Sequence, residues 1–329
     1  MTLSRRIFIG KSAALAALTI LPGTSSVKAA STPYYNASLA PDSNFGGVQI
    51  GAITYSWRSM PGGIENIIKY CQQSGINAIE LMSNDLESYL GAPVNPAAGR
   101  PRQRGQRTPE QEAAMNKYNQ DLKQWRVSLQ MTKVEQARKL FDNAGIKIHI
   151  VKFSPAGWSD EEIDYAFRSA KVMGAKGVCD EIGEAAVNKM APFAEKHGIY
   201  AIFHNHMQFA TPGFSYDPFL AVSPAVMMNF DAGHFFGSTG IHPNTIIEKY
   251  HERILSIHLK DKTGPKTDPA NMNQVWGQGE MPISDVLLLI KKEKWPIFCD
   301  VELEYEIKPW SDAVRETKTC VEFARQILI

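Results

Sequence analysis

Three of the chain's eight histidines close apolar runs: His204 and His206 in Ile-Phe-His-Asn-His, and His258 in Ser-Ile-His-Leu-Lys-Asp. A fourth, His234, follows such a run in Asn-Phe-Asp-Ala-Gly-His. Acids share the pattern. Asp231 ends one run, Asp180-Glu181 ends another, and Asp300-Val-Glu-Leu-Glu carries Glu302 and Glu304 at the end of a third. Ionisable groups gathered at the ends of apolar runs are costly to bury unless each has a partner. A metal ion is one such partner. A mixed carboxylate and imidazole shell suits Mn²⁺, Zn²⁺, Fe²⁺, Co²⁺ or Mg²⁺, and suits Ca²⁺ less well. Side chains alternate along a strand, so Asp300, Glu302 and Glu304 share one face, as do Ile202, His204 and His206.

Such groups need a scaffold that collects the ends of strands. The sequence alternates strand and helix eight times. Strands are expected over Val48–Trp57, Asn77–Ser83, Ile146–Ser154, Gly177–Ile182, Tyr200–His206, Val226–Asp231, Ile254–Asp261 and Ile297–Glu304. Helical spacing separates them over Ile64–Gln73, a stretch ending at Asn143, Ser159–Met173, Glu184–His197, Ile283–Lys294 and Ser311–Leu328, with weaker helices near Tyr216–Ala221 and Pro243–Tyr250. Ser159 and Glu162 have capping-box spacing, and Gly145, Gly174 and Gly198 follow helix ends. Eight such units define an α/β fold, a (β/α)8 TIM barrel forming a single domain. A doubly wound sheet competes, but no Gly-x-Gly-x-x-Gly or Walker turn follows any strand. An insertion over about 84–108 follows the second strand and carries four arginines over 99–107. It is either a solvated loop or a lid that touches substrate. Thr108-Pro-Glu-Gln then reads as a helix start.

The chain has 329 residues, 35 basic and 34 acidic, with 44% hydrophobic residues. This is a globular composition and excludes a disordered or fibrous chain. Near-neutral charge argues against a nucleic-acid partner. The four cysteines lie in apolar stretches without Cys-x-x-Cys spacing and read as core residues. Residues 1–29 have a basic start with Arg5 and Arg6, an apolar stretch over Ser12–Pro22 and small residues near Ala29, the three regions of an export signal. Ser4-Arg-Arg-Ile-Phe-Ile-Gly-Lys resembles the twin-arginine consensus with its lysine one place late; a general secretory signal with two arginines is the alternative. A periplasmic or otherwise exported location is the expectation. Arg5, Arg6, Lys11 and Lys28 leave with the signal and no acid does, so 31 basic residues face 34 acidic ones, a net −3. The apolar stretch is too short to span a bilayer, and no cysteine follows it, so no stable membrane anchor is expected. A linker over 30–47 then leads to the barrel over 48–329.

From Val48 to the C-terminus the sequence resembles the xylose isomerase-like TIM barrels, the sugar isomerase/epimerase group that includes ketose 3-epimerases, inosose dehydratases and 3-keto-glycoside enzymes. The resemblance rests on His204-Asn-His206, Asp231-Ala-Gly-His234, His258-Leu-Lys-Asp261, Gly277-Gln-Gly-Glu280 and Val301-Glu-Leu-Glu304. It implies one divalent ion held from strands five to eight, with Asp231, His258 and Glu302 matching three ligands and His234 matching a substrate-contacting histidine. Strand five departs: His204 stands where the ketose epimerases have a glutamate. His204, His206 and Glu181 are all candidates to complete the shell, with Glu181 and His206 the assigned ligands. Glu302, His204 and Lys260 are the candidate catalytic residues, although Lys260 has pairing with Asp261 as an alternative. Lys152, Trp57 and Trp276 join His234 as candidate substrate contacts, with plain packing the alternative for each indole.

The implied chemistry is enolisation. A metal-polarised carbonyl lets a carboxylate or histidine remove the neighbouring proton, through an enediolate intermediate. Return of the proton to the other face is epimerisation, return to the adjacent carbon is isomerisation, and loss of a β-substituent is a lyase reaction. The substrate implied is a small carbohydrate, a keto sugar or keto-glycoside, and the protein is expected to be an isomerase or epimerase with a lyase as alternative. An apurinic-site endonuclease and a non-catalytic sugar-binding barrel rank lower. A homo-oligomer is compatible with the sequence.

Overall fold

The computed structural model describes residues 40–98 and 108–329. The export signal assigned to 1–29 and the arginine-rich stretch at 99–107 lie outside the described residues. Eight parallel strands close a barrel: β1 (Val48–Ile53), β2 (Ala78–Met82), β3 (Lys147–Lys152), β4 (Gly177–Glu181), β5 (Tyr200–His204), β6 (Val226–Asp231), β7 (Ile254–Leu259) and β8 (Phe298–Val301). Each pairs with the next, and β8 pairs back onto β1. Their apolar character follows from burial on both faces; every residue of β6 and β7 is buried. The helices are α1 (Ile64–Ser74), α2 (Ser83–Leu90), α3 (Pro109–Ser128), α4 (Met131–Asn143), α5 (Asp160–Val172), α6 (Glu184–His197), α7 (Asp217–Leu220), α8 (Ala232–Thr239), α9 (Asn244–Tyr250), α10 (Ile283–Glu293) and α11 (Ala313–Leu328).

The expected barrel is the observed one, with local differences. The insertion is not all loop, because α2 occupies its first turns. The helix expected to run to Asn143 is two helices, α3 and α4, broken where Leu129 turns extended. Both expected capping boxes form, Thr108 with Gln111 and Ser159 with Glu162. Asn44–Phe45 pairs antiparallel with the start of β1, so strand pairing begins inside the segment read as linker. β5 stops at His204 rather than His206. There the Asn205 side chain takes over, accepting from Asp231 N at 3.0 Å and donating to Asp231 O at 3.2 Å. β8 stops at Val301 rather than Glu304, where the Ser56 hydroxyl donates to Val301 O at 3.2 Å and accepts from Leu303 N at 3.0 Å. Side-chain bonds thus replace the ladder just where functional groups begin.

Inside the barrel, Ile150, Cys179, Ile202, Met227 and Leu255 form an apolar layer on the N-terminal side of the polar residues. His149 and Asp300 bond across the barrel at 2.7 Å, and the imidazole stacks on Phe298. All four cysteines are free and buried, as the sequence implied. Outside, Arg126 of α3 bonds both oxygens of Glu87 on α2, at 2.8 and 3.1 Å, and Glu162 of α5 at 3.2 Å, while lying over the Trp158 ring. That buried fork fixes α3 against its neighbours. Among the described residues no helix is long and apolar enough to cross a membrane.

Gly51 of β1 makes room for the buried Asp300. A Cβ there would collide with Asp300 Oδ1 and come within 3.0 Å of Ala78 O. Gly51→Ala should therefore destabilise the protein by about 1–3 kcal/mol, read as a lower urea midpoint; an unchanged midpoint would show that Asp300 has room to move.

Candidate active site

β5 delivers His204, β6 Asp231, β7 His258, and the extended chain beyond β8 delivers Glu302. One donor atom from each lies within 4.8 Å of the other three, and all four residues are buried. His204 Nε2 is 3.3 Å from Asp231 Oδ2, and His258 Nδ1 is 2.7 Å from Glu302 Oε2. Yet these same four atoms have no hydrogen-bond partner with acceptable angles. They crowd into one small volume. Two imidazole nitrogens and two carboxylate oxygens so arranged fit a divalent cation, and unpaired buried polar atoms are expensive without one.

Lys260 supplies the local positive charge. Its Nζ lies 2.8 Å from Asp231 Oδ2, 2.8 Å from Glu302 Oε2 and 2.7 Å from Glu304 Oε2. Burial would raise Asp231 and Glu302, but Lys260 and the nearby histidines hold both well below the usual carboxylate range. Burial would likewise depress Lys260, and the three carboxylates raise it instead. Asp261 is not its partner: that carboxylate accepts from Gly277, Gly279, Met281 and Lys262 N–H groups and ties down the loop before α10.

The motifs have local physical reasons. Asp231 caps α8, its Oδ1 accepting from His234 N at 2.7 Å, which leaves Oδ2 for the cluster. A Cβ at Gly233 would strike the Lys260 side chain and sit 2.7 Å from its carbonyl oxygen, so the glycine lets Lys260 pass beneath α8. His258 is held from behind. Its Nε2 lies 2.8 Å from Glu80 Oε2, which also accepts from Asn229 Nδ2 at 2.7 Å. Burial would depress His258, but Glu302 and Glu80 on either side raise it well above an ordinary imidazole.

Beside the cluster, Glu181 Oε1 accepts from Lys152 at 2.7 Å, and its Oε2 lies 3.2 Å from His204 Nδ1 and 3.6 Å from His206 Nδ1. Burial would raise Glu181, yet His204 and Lys152 lower it. His234 Nε2 is 3.4 Å from Glu304 Oε2. The rings of His206 and His234 meet edge to face with centroids 5.0 Å apart. Burial lowers both imidazoles, His234 to about 4, so His234 is neutral at pH 7.

The structure brings His204, Asp231, His258, Glu302, Lys260, His234, Glu181, His206 and Lys152 to one end of the barrel. His204, assigned a catalytic role from sequence, stands in the four-residue cluster. His206, assigned as a ligand, stands outside it with a half-exposed side chain. The two indoles do not join them. Trp57 is buried against Tyr70 and donates to Thr317 of α11 at 3.1 Å, and Trp276 is buried against Phe323, so each ring is spent on packing. Glu80, Asn229 and Asn205 were missed. The available signal was a lone acid inside the apolar Ala-Ile-Glu-Leu-Met of β2.

A closed parallel barrel with acids, imidazoles and a lysine at the C-terminal ends of its strands defines an enzyme-type TIM barrel. The chain belongs to the xylose isomerase-like TIM barrel family, whose model matches residues 68–325. No curated protein matches it by sequence. Among solved structures it is similar to a probable 3-DHS dehydratase from Bacillus anthracis, at 13% identity and TM-score 0.57, covering 84% of this chain and 98% of that one. It is also similar to a sugar phosphate isomerase/epimerase from Parabacteroides distasonis (16%, TM-score 0.53, 86% and 96% covered) and to a D-psicose 3-epimerase (12%, TM-score 0.52, 85% and 99% covered). At these identities the likeness is one of fold.

Lys260→Met should destabilise the metal-free protein by about 3–5 kcal/mol, because it leaves buried carboxylates without their cation. The depressed Asp231 and Glu302 contribute stability that is full above about pH 4.5 and is lost as pH falls through their lowered values. Removing Lys260 raises those values, so acid unfolding followed by circular dichroism should begin at higher pH in the variant. Coincident acid transitions would contradict this.

Proposed function

We propose that the protein is a divalent-metal enzyme that enolises a keto sugar or keto-glycoside, with His204, Asp231, His258 and Glu302 holding the ion. The observation that carries this reading is the convergence of four buried donor atoms, one from each residue, two carboxylate oxygens that share Lys260 and two imidazole nitrogens that reach those same oxygens without a well-angled hydrogen bond. His204 takes the place of the glutamate that the epimerases carry on strand five, and His206 passes to proton transfer. Relatives of the same fold named as a dehydratase and as epimerases support the reaction class.

When bound, the ion polarises the substrate carbonyl and offsets the charge that grows as the neighbouring proton leaves. The chain's own groups supply the rest. Lys260 holds Glu302 below the usual carboxylate range and lies 2.7 Å from Glu304 Oε2, so a carboxylate is ready to accept that proton. Glu304 with His234, and Glu181 with His206, form two carboxylate–imidazole pairs that hold or return a proton. Lys152 orients Glu181. A sugar ring does not fit between imidazoles whose centroids are 5.0 Å apart, so both pairs address the same side of the cluster. One-sided proton transfer favours isomerisation or β-elimination over return of the proton to the opposite face. We also propose that residues 1–29 export the protein, so that it meets carbohydrate outside the cytoplasm.

Metal-loaded protein should be incubated in D₂O with ketoses and 3-keto-glycosides and the products read by NMR. Deuterium should enter beside the carbonyl, with an isomerised or eliminated product. Glu302→Gln should abolish exchange. His204→Ala should lose the metal, whereas His206→Ala should keep it and slow turnover by ~10²–10⁴. Retention of metal by His204→Ala would overturn the ligand set, and efficient two-way C3 epimerisation of free ketoses would return the protein to the two-base class.

A further inference from the structure

The described barrel strands slip register twice, and both slips precede residues behind His258. One lies between Ile79 and Glu80, where His149 is the extra residue of β3; the other lies between Met228 and Asn229, where Leu255 is the extra residue of β7. Bulges re-aim side chains and gather near functional sites. Here they turn Glu80 and Asn229, fully buried and on opposite sides of the barrel, onto the same imidazole.

The groups around His258 Nε2 are fixed by their own neighbours, and Asn229 Nδ2 and His258 Nε2, 3.1 Å apart, both turn to Glu80 Oε2. The Ser256 hydroxyl donates to Asn229 Oδ1 at 2.7 Å, which fixes the amide and turns Nδ2 towards Glu80 Oε2, also at 2.7 Å. A carboxylate oxygen 2.8 Å from His258 Nε2 requires a proton on that nitrogen. Glu302 Oε2 lies 2.7 Å from Nδ1, so that nitrogen too is protonated while no ion is bound; on ion binding Nδ1 gives up its proton, because Nε2 stays bonded to Glu80. We infer that Glu80, held in place by Asn229, is a positioning residue that selects the His258 tautomer able to coordinate and stiffens that ligand. The inference rests on the metal reading above. Carboxylates behind metal-bound histidines raise their basicity and fix their orientation, and their loss costs 10–100-fold in affinity.

The test is a Zn²⁺ titration of the wild type, Glu80→Gln, Asn229→Ala and His258→Ala, with ¹⁵N spectra of the zinc-loaded histidines. Glu80→Gln should bind zinc 10–100-fold more weakly at the same stoichiometry, and the His258 Nε2 proton should move upfield as it loses its carboxylate. Asn229→Ala should weaken binding in the same direction by less, and it serves alone if Glu80→Gln fails to fold. Wild-type affinity in the folded Glu80→Gln protein, or in Asn229→Ala when that variant is the one tested, overturns the positioning role and leaves the metal centre standing. A wild type that binds no zinc, or zinc binding that survives His258→Ala, overturns both.

Discussion

Asp231 and Glu302 are two carboxylates buried side by side at the mouth of a barrel, and neither is tolerable there without positive charge. Lys260 lies between them and a third carboxylate, Glu304. Much of the nearby chain follows from that arrangement. Gly233 is a glycine because Lys260 passes under it. Asp231 divides its oxygens between the cap of α8 and the cluster. Asn205 ends β5 and fastens the backbone of Asp231 from the side. Lys260 meets one oxygen of Asp231 and one of Glu302, and His204 Nε2 and His258 Nδ1 reach the same two oxygens without well-angled hydrogen bonds, so the two imidazoles are what the proposed ion would add to the network.

The barrel beneath supplies rigidity. An apolar layer of Ile150, Cys179, Ile202, Met227 and Leu255 underlies the polar groups, and the strand pairing closes without a free edge. The candidate groups sit at or near the C-terminal ends of β5, β6 and β7, just beyond β8, and at the two register slips. Outside, the Arg126 fork secures α3, the helix that follows the arginine-rich segment. At the barrel mouth the imidazoles of the two carboxylate–imidazole pairs stand side by side, His206 edge to face with His234.

Much of this was legible in the sequence. Alternating strands and helices gave the barrel, because parallel strands buried on both faces must be apolar and their crossover helices must carry caps. His204, Asp231, His258 and Glu302 stood out because ionisable side chains closed apolar runs. What could not be read was which of two neighbouring histidines faces inward. Parity put His204 and His206 on one face, but β5 ends between them, and beyond a strand's end alternation no longer binds. Glu80 stayed hidden because a single acid in a short apolar strand has no periodic signal; its partner lies 178 residues away. Trp57 and Trp276 misled because an indole after a strand is equally suited to a sugar face or to the core, and only their packing against α11 decides.

The central claim is that these four side chains share one ion. The most direct measurement is a crystal structure of the protein grown with Mn²⁺, the ion placed by its anomalous scattering. The account predicts one strong peak within about 2.0–2.3 Å of His204 Nε2, Asp231 Oδ2, His258 Nδ1 and Glu302 Oε2, with the Lys260 ammonium drawn towards Glu304. A centre filled by Lys260 with no peak, or a peak only at Glu181 and His206, would contradict it.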